Sequence, residues 1–305
     1  MCCLFGFVDY KNCLSSGQKH HLLKVLGTAC EARGTDATGI AYNTEGQLRI
    51  YKKAVPAHKL RMRLPHDVQV VMGHTRFTTQ GSEKKNHNNH PFRGTLPDQC
   101  FALAHNGVLH NDHFLRQTLD LPDTPIETDS YIAVQLIEKE KSLHLQSLRT
   151  MAEQVEGSFV FTALDAQDSL YFVRGDNPLC IYHYPSLGLY IYASTEGILQ
   201  TALSRLKFRL PKPVTIDTDC GDILEIDRHG HLSMTTFDCG HLYQFYPRYY
   251  GCFPMTYSAK DTSYLQELKN IATAFGYTPE DIDDLAKSGI SPEEIEDYFY
   301  CGAEL

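Results

Sequence analysis

MCCLFGFVDY, residues 1–10, sets the terms on which the rest of the chain is read. Its short apolar and aromatic run predicts a strand, with a cysteine at the strand's mouth. If Met1 is removed, Cys2 carries a thiol nucleophile and a free α-amine in one residue. The amine can take the thiol proton and return it to a leaving amine, an economy that N-terminal threonine hydrolases also use. The small side chain of Cys2 makes Met1 a good substrate for methionine removal. A strand start would seat the nucleophile on a rigid element. Cys3 is expected to be a small buried neighbour, because strand alternation turns its side chain away from that of Cys2.

Working outward, two more polar clusters sit at the ends of apolar runs. VQVVMGHTR runs into GHTRFTTQG at 73–81, and FALAHNG ends in LAHNG at 103–107. Asn106 offers a carboxamide NH2 and Gly107 a backbone N–H, in what reads as a tight turn after a strand. An Asn-Gly pair is also a strong hairpin signal in its own right.

Six stretches stand in order along the chain: CCLFGF at 2–7, RGTDATGIA at 33–41, GHTRFTTQG at 73–81, NNHPF at 88–92, AHNG at 104–107 and ETDS at 127–130. Together they resemble the class II glutamine amidotransferases of the N-terminal-nucleophile hydrolases. The likeness runs to the glutaminase domains of glucosamine-6-phosphate synthase and amidophosphoribosyltransferase, over roughly residues 2–235. It implies an α+β fold: a four-layer α/β/β/α sandwich of two antiparallel sheets, with a small helical C-terminal tail. Periodicity alone supports only mixed α and β with mainly antiparallel strands.

The resemblance also assigns roles. Cys2 is the nucleophile, and Asn106 with Gly107 forms the oxyanion hole, which needs preorganised donors for the new negative oxygen. Free glutamine is a zwitterion, so its pocket needs a cation and an anion at fixed separation. Arg76 matches the position that holds the α-carboxylate in a fork of donors, and Asp129 the one that holds the α-ammonium. Phe77 stands where the family often has tryptophan, and Thr79 would line the substrate backbone. Gln80 stands where the closest resembled enzymes often have histidine; an amide replaces imidazole as a donor but not as a titrating group. Arg33 and Gly34 match a loop near the nucleophile, and Arg33 is expected to orient the Cys2 end. His74 is expected to be a structural hydrogen-bonding residue rather than a base.

The remaining pattern predicts a helix over 18–32, with Leu22, Leu23, Leu26, Ala29 and Cys30 on one face. IAYNT and QLRIYKKAV read as a hairpin, 129–140 and 148–156 as helices, and 157 onward as a meander of short strands. TEGILQTAL reads as a short helix, and DILEID with LSMTTF as a hairpin. The expected organisation is a glutaminase-like domain over 2–238, an aromatic connector over 239–262 and a helical tail over 263–305. Two tail helices carry start signals, Thr278-Pro279-Glu280-Asp281 and Ser291-Pro292-Glu293-Glu294. Ile282, Leu285, Ile290 and Ile295 form an apolar stripe that must be buried, against the chain's own domain or against another protein.

Bulk composition narrows the function classes. The chain has 305 residues, 42% hydrophobic and 21% charged, with a formal net charge of −9. That balance argues against a general nucleic-acid surface, which needs a basic footprint. The one dense basic run, RLKFRLPKPV at 205–214, reads as a solvated face. No apolar run approaches the roughly 18 residues of a membrane span, and no signal peptide is recognised. Ten cysteines without a C-x-x-C pair fit a reducing, cytoplasmic compartment. His87, His90, His229 and His231 lack ligand partners at metal spacing. With no phosphate loop or dinucleotide fingerprint, hydrolysis is expected to need no cofactor.

The expected reaction is L-glutamine plus water giving L-glutamate and ammonia. The ammonia would go to a separate synthase subunit, or the hydrolase would act alone or as a homo-oligomer. Hydrolysis of γ-glutamyl amides or peptides uses the same grip with another leaving group. A non-catalytic glutamine-binding scaffold is the reading from a different class.

Overall fold

Side-chain alternation in CLFGFVD builds the centre of the molecule. In strand β1 (Cys3–Asp9), Cys3, Phe5 and Phe7 face one apolar cluster and Leu4 and Val8 face another. A strand buried on both faces is the middle of a layered structure. The computed structural model describes residues 2–243 and, of the C-terminal segment, residues 265, 268, 269, 272, 277–288, 290, 292 and 295.

The first unit, Met1–Tyr243, continues with helix α1 (Ser16–Cys30) and the hairpin β2 (Ala37–Thr44) and β3 (Gln47–Lys53). Strands β4 (Val70–Arg76), β5 (Phe92–Thr95) and β6 (Cys100–Leu109) follow, then helices α2 (Asp112–Thr118), α3 (Tyr131–Glu140) and α4 (Leu145–Ala152). The chain then forms β7 (Gly157–Leu164), β8 (Leu170–Arg174), β9 (Cys180–Tyr184), β10 (Leu189–Ala193) and helix α5 (Glu196–Ser204). Strands β11 (Val214–Ile216), β12 (Asp222–Ile226) and β13 (Leu232–Thr236) complete it.

Two antiparallel sheets result. One runs β11-β9-β10-β1-β4-β2-β3 and the other β13-β12-β8-β7-β6-β5. Leu4, Val8 and Met72 of the first meet Ala104, Val160 and Phe172 of the second in the inner core. The outer face of the first sheet packs on α1 and α5, and that of the second on α3 and α4. This is the expected four-layer sandwich. Among the described residues no helix is long and apolar enough to cross a membrane.

Three local readings need correction. The strands after 157 are not one meander, since β7 and β8 pair in one sheet whereas β9 and β10 pair in the other. Alternation cannot say which sheet a hairpin joins. Asn106 and Gly107 do not form a turn; they lie within β6, paired with Val160 and Phe159 of β7. Helix α1 begins at Ser16 rather than 18, because Ser15 and Gln18 form a reciprocal capping box. β5, α2 and β11 are too short to show a period in the sequence.

In the second unit, Gln244–Leu305, helix α6 (Pro279–Lys287) starts at the Thr278 cap, with Asp281 returning the bond. Ile282 and Ile295 are fully buried. Residues 244–262 of the connector expected over 239–262, and most of the helices expected near 263–275 and 292–300, lie outside the described residues.

The far end of β1 is clamped by a buried pair. Lys19 Nζ lies 3.3 Å from Asp9 Oδ2 and also donates to Asn12 Oδ1 and the Val68 carbonyl. Asp9 also accepts the N–H groups of Cys13 and Leu14. Lys19→Met would strand a carboxylate in the core, at a cost of about 3–5 kcal/mol. The denaturant midpoint of the full chain should therefore fall clearly; an unchanged midpoint would contradict the clamp.

Candidate active site

The mouth of β1 opens where the end of β4, the middle of β6 and the start of α3 converge. Antiparallel register sets Cys3 opposite Thr75, so the Cys2 end lies beside Arg76 and the loop that follows. Cys2 Sγ lies 3.5 Å from the carbonyl oxygen of Phe77. Arg33, just past α1, is buried; its Nε donates to the Cys2 carbonyl at 2.8 Å, and one Nη reaches Asn106 Oδ1 at a long 3.5 Å. One guanidinium thus touches both the Cys2 backbone, at the edge of one sheet, and the Asn106 amide, in the other. Gly34 lets this loop pass close to β4, since a Cβ there would lie 2.5 Å from the Arg76 carbonyl carbon.

Asn106 is 1% exposed. Its backbone carbonyl accepts from Asn177 Nδ2 at 3.1 Å, and its Oδ1 faces Arg33. Its Nδ2 is buried with no hydrogen-bond partner. An unpaired buried donor costs on the order of 1–3 kcal/mol, so such a group needs a functional or structural reason. Gly107 has φ +141, and a Cβ would fall 1.9 Å from the Ser158 carbonyl oxygen. Only glycine fits this bend.

Arg76 ends β4 and is almost wholly buried. Nη1 donates to Asn89 Oδ1 at 2.7 Å, and Nη2 donates to the carbonyls of Gln80 and Gly81 at 2.5 and 3.2 Å. Burial lowers its pKa, opposed by the negative fields of Cys2, Asp36, Glu83 and Asp129. Gln80 therefore meets Arg76 through its backbone, a contact independent of its side-chain type. Phe77 and Thr79 lie half-buried on the same loop, and Asp36 holds that loop by accepting Thr78 N–H. Asp129 is buried before α3, where its Oδ2 accepts Leu109 N–H at 2.7 Å and its Oδ1 faces the Ser130 hydroxyl. Ser130, at the cap position, makes no side-chain cap bond and turns to His105 instead.

His74 sits beneath the site in β4. Its Nε2 meets the His105 carbonyl, which can only accept, so this nitrogen carries the proton. Burial, with the nearby Arg76 charge, pushes its pKa down to about 3. The His90 ring lies 4.2 Å from that of His74, centroid to centroid and tilted by 33°, and burial depresses its pKa strongly as well. His105 is lowered by burial despite the field of Asp129. Reading the sequence assigned no role to Asn177, Asp36 or His105. Asn88 and Asn89 belong to NNHPF, whose sequence pattern gave them no role.

No family model matches the chain. Glutamine–fructose-6-phosphate aminotransferase [isomerizing] of Bacillus thuringiensis subsp. konkukian is 33% identical over 190 residues, covering 59% of this chain and 30% of that protein. The same enzyme of Streptococcus pyogenes serotype M3 is 33% identical over 160 residues, covering 50% and 26%. The chain therefore spans under a third of the length of these curated relatives. Among solved structures, glutamine phosphoribosylpyrophosphate (PRPP) amidotransferase from B. subtilis, complexed with ADP and GMP, superposes with a TM-score of 0.61. It is 19% identical, over 78% of this chain and 49% of that one. A structure described as the allosteric regulatory enzyme of purine biosynthesis gives 0.60 over the same shares.

The histidine cluster predicts acid sensitivity. Its members' pKa values are depressed in the folded state, so between about 6.5 and, for His74, about 3 the unfolded chain binds more protons. This stabilisation is complete above pH 6.5 and is lost as pH falls through that window. Unfolding free energy measured against pH should decline there, and His74→Gln should flatten the decline. A wild-type profile level down to pH 4 would contradict the assignment.

Proposed function

The chain has the class II glutamine amidotransferase fold of the N-terminal-nucleophile hydrolases, and from that premise we propose that it hydrolyses L-glutamine to L-glutamate and ammonia. The observation that carries this reading is the buried, partnerless Asn106 Nδ2, on an amide that Arg33 links to the Cys2 backbone at the mouth of β1. Removal of Met1 frees the Cys2 α-amine, which accepts the thiol proton. The Cys2 sulfur attacks the side-chain carbonyl carbon, and the new oxyanion accepts from Asn106 Nδ2–H and the Gly107 amide. Collapse expels ammonia with a proton from the α-ammonium. Water, activated by the same amine, then cleaves the thioester to glutamate.

Arg76 receives the substrate α-carboxylate and Asp129 its α-ammonium. Phe77, Thr79 and Gln80 line the loop over the substrate, while Arg33 and Gly34 orient the nucleophile. For the carboxylate to reach Arg76, the fork must exchange its contacts with the Gln80 and Gly81 carbonyls for the ligand. The ammonia passes to an acceptor site or to solvent. A reducing, cytoplasmic setting suits a thiol nucleophile and the Cys3, Cys13, Cys30, Cys100, Cys180 and Cys239 thiols.

Ammonia release from glutamine, assayed on protein whose N-terminus is verified by mass, tests the reading. Cys2→Ala should abolish turnover, and full activity in that variant would sink the nucleophile assignment. Asn106→Ala should lower kcat by a factor of about 10²–10³, the cost of one oxyanion donor. Arg76→Ala and Asp129→Ala should chiefly raise KM, because their contacts exist in both ground and transition states. The reverse pattern would reassign these roles.

A further inference from the structure

The two asparagines of NNHPF are fully buried, adjacent in sequence, and joined to different arms of the proposed substrate grip. Asn89 Oδ1 accepts from Arg76 Nη1 at 2.7 Å. Its Nδ2 donates to the Glu83 carbonyl at 2.8 Å and to Asn86 Oδ1 at 3.3 Å. The same arginine donates to the carbonyls of Gln80 and Gly81. One planar amide therefore splices the guanidinium to the far side of the 80–83 loop.

Asn88 makes the matching connection to the other arm. Its Oδ1 accepts Glu127 N–H at 2.9 Å, and its Nδ2 donates to Glu127 Oε2 at 2.8 Å and to the Ser82 carbonyl at 3.2 Å. Glu127 stands two residues before Asp129 in ETDS. The Asn88 bonds thus tie the loop to the backbone that delivers the proposed ammonium-binding carboxylate.

We propose that Asn89 is a positioning residue for Arg76, and that with Asn88 it fixes the separation between the cation and the anion that grip an α-amino acid. The proposal rests on the functional reading above and extends it to residues that touch no substrate. Its physical basis is the amide itself, which offers an acceptor and a donor in one rigid plane. An arginine fork recognises carboxylate by geometry as well as charge, so its orientation sets affinity. A free arginine side chain would lose rotamer entropy on binding each ligand; Asn89 meets that cost during folding. Aspartate at 89 could not serve, because it would turn an acceptor toward the Glu83 carbonyl and neutralise Arg76.

The test is steady-state glutamine hydrolysis by the full chain, compared with turnover of 4-aminobutanamide, which is glutamine without its α-carboxylate. Asn89→Ala should raise KM for glutamine about tenfold, the worth of one charge-assisted hydrogen bond, with kcat held within about threefold. Its preference for glutamine over 4-aminobutanamide should shrink by the same factor. A loop that had merely lost its structure would penalise both substrates alike, and that result would overturn the proposal. Asn88→Asp sets two carboxylates together and should also raise KM. Adding Glu127→Gln removes the contact between two carboxylates and should return KM part of the way toward wild type, because the carboxylate at 88 still faces the Ser82 carbonyl while the exposed Lys85–Glu127 ion pair it forfeits is worth little. Failure of that rescue would remove Asn88 from the account. A wild-type protein inactive on glutamine overturns the functional reading and this one with it; an active wild type matched by Asn89→Ala overturns this one alone.

Discussion

The site depends on how one buried amide is held. Asn106 belongs to one sheet, the residue that tethers its oxygen to the loop beyond α1, and Cys2 to the mouth of β1 in the other sheet. Arg33 spans the gap, and Asn177 holds the Asn106 backbone from behind. With its carbonyl side committed, the amide has one direction left for its NH2. A donor fixed in that direction, out of water, needs no reorganisation when negative charge develops before it, and this is where most of the electrostatic benefit of an enzyme site arises. The folded chain carries the cost of the unpaired donor throughout.

The rest of the architecture supplies rigidity around that amide. β1 lies between β4 and β10 in the first sheet, so its register is fixed on both edges. Leu4 N–H is held by Ser194 Oγ at the site end, and Asp9 by Lys19 at the other. The inner core locks this sheet against the one that carries Asn106. Cys2, Asn106 and Arg76, the proposed nucleophile, oxyanion donor and carboxylate fork, therefore lie in or beside elements whose relative placement the packed core sets. The half-buried loop from Phe77 to Glu83 is held by side-chain contacts instead, which is why Asn88, Asn89 and Asp36 matter to it.

Much of this was legible in the amino-acid order because strands that end at a site carry two signals, an apolar run and an abrupt polar stop. VVMGHTR and FALAHNG show both, and β4 and β6 lie where those runs place them. What the order did not show has physical causes. Asn-Gly is a turn signal locally, yet here Gly107 is required because Ser158 of the neighbouring strand leaves no room for a Cβ. The hairpin β9–β10 carries the same alternation as β7–β8, and only tertiary packing sends it to the other sheet. Asn88, Asn89 and Asn177 act through side-chain bonds that span up to 71 positions, and no local period reports such bonds. The motif that holds Arg76 raised the expectation of a carboxylate fork, but gave no sign of a side chain already engaged by its own loop.

The central claim is that Cys2 is the nucleophile of a glutamine-shaped site. It is tested most directly by treating the mature protein with a glutamine analogue that carries a diazoketone in place of the carboxamide, then mapping the adduct by peptide mass. The account predicts one adduct per chain, on a Cys2 that has become the first residue, suppressed by excess glutamine and absent from the adjacent, fully buried Cys3. An adduct on another cysteine, or none on a protein that releases ammonia from glutamine, would contradict it.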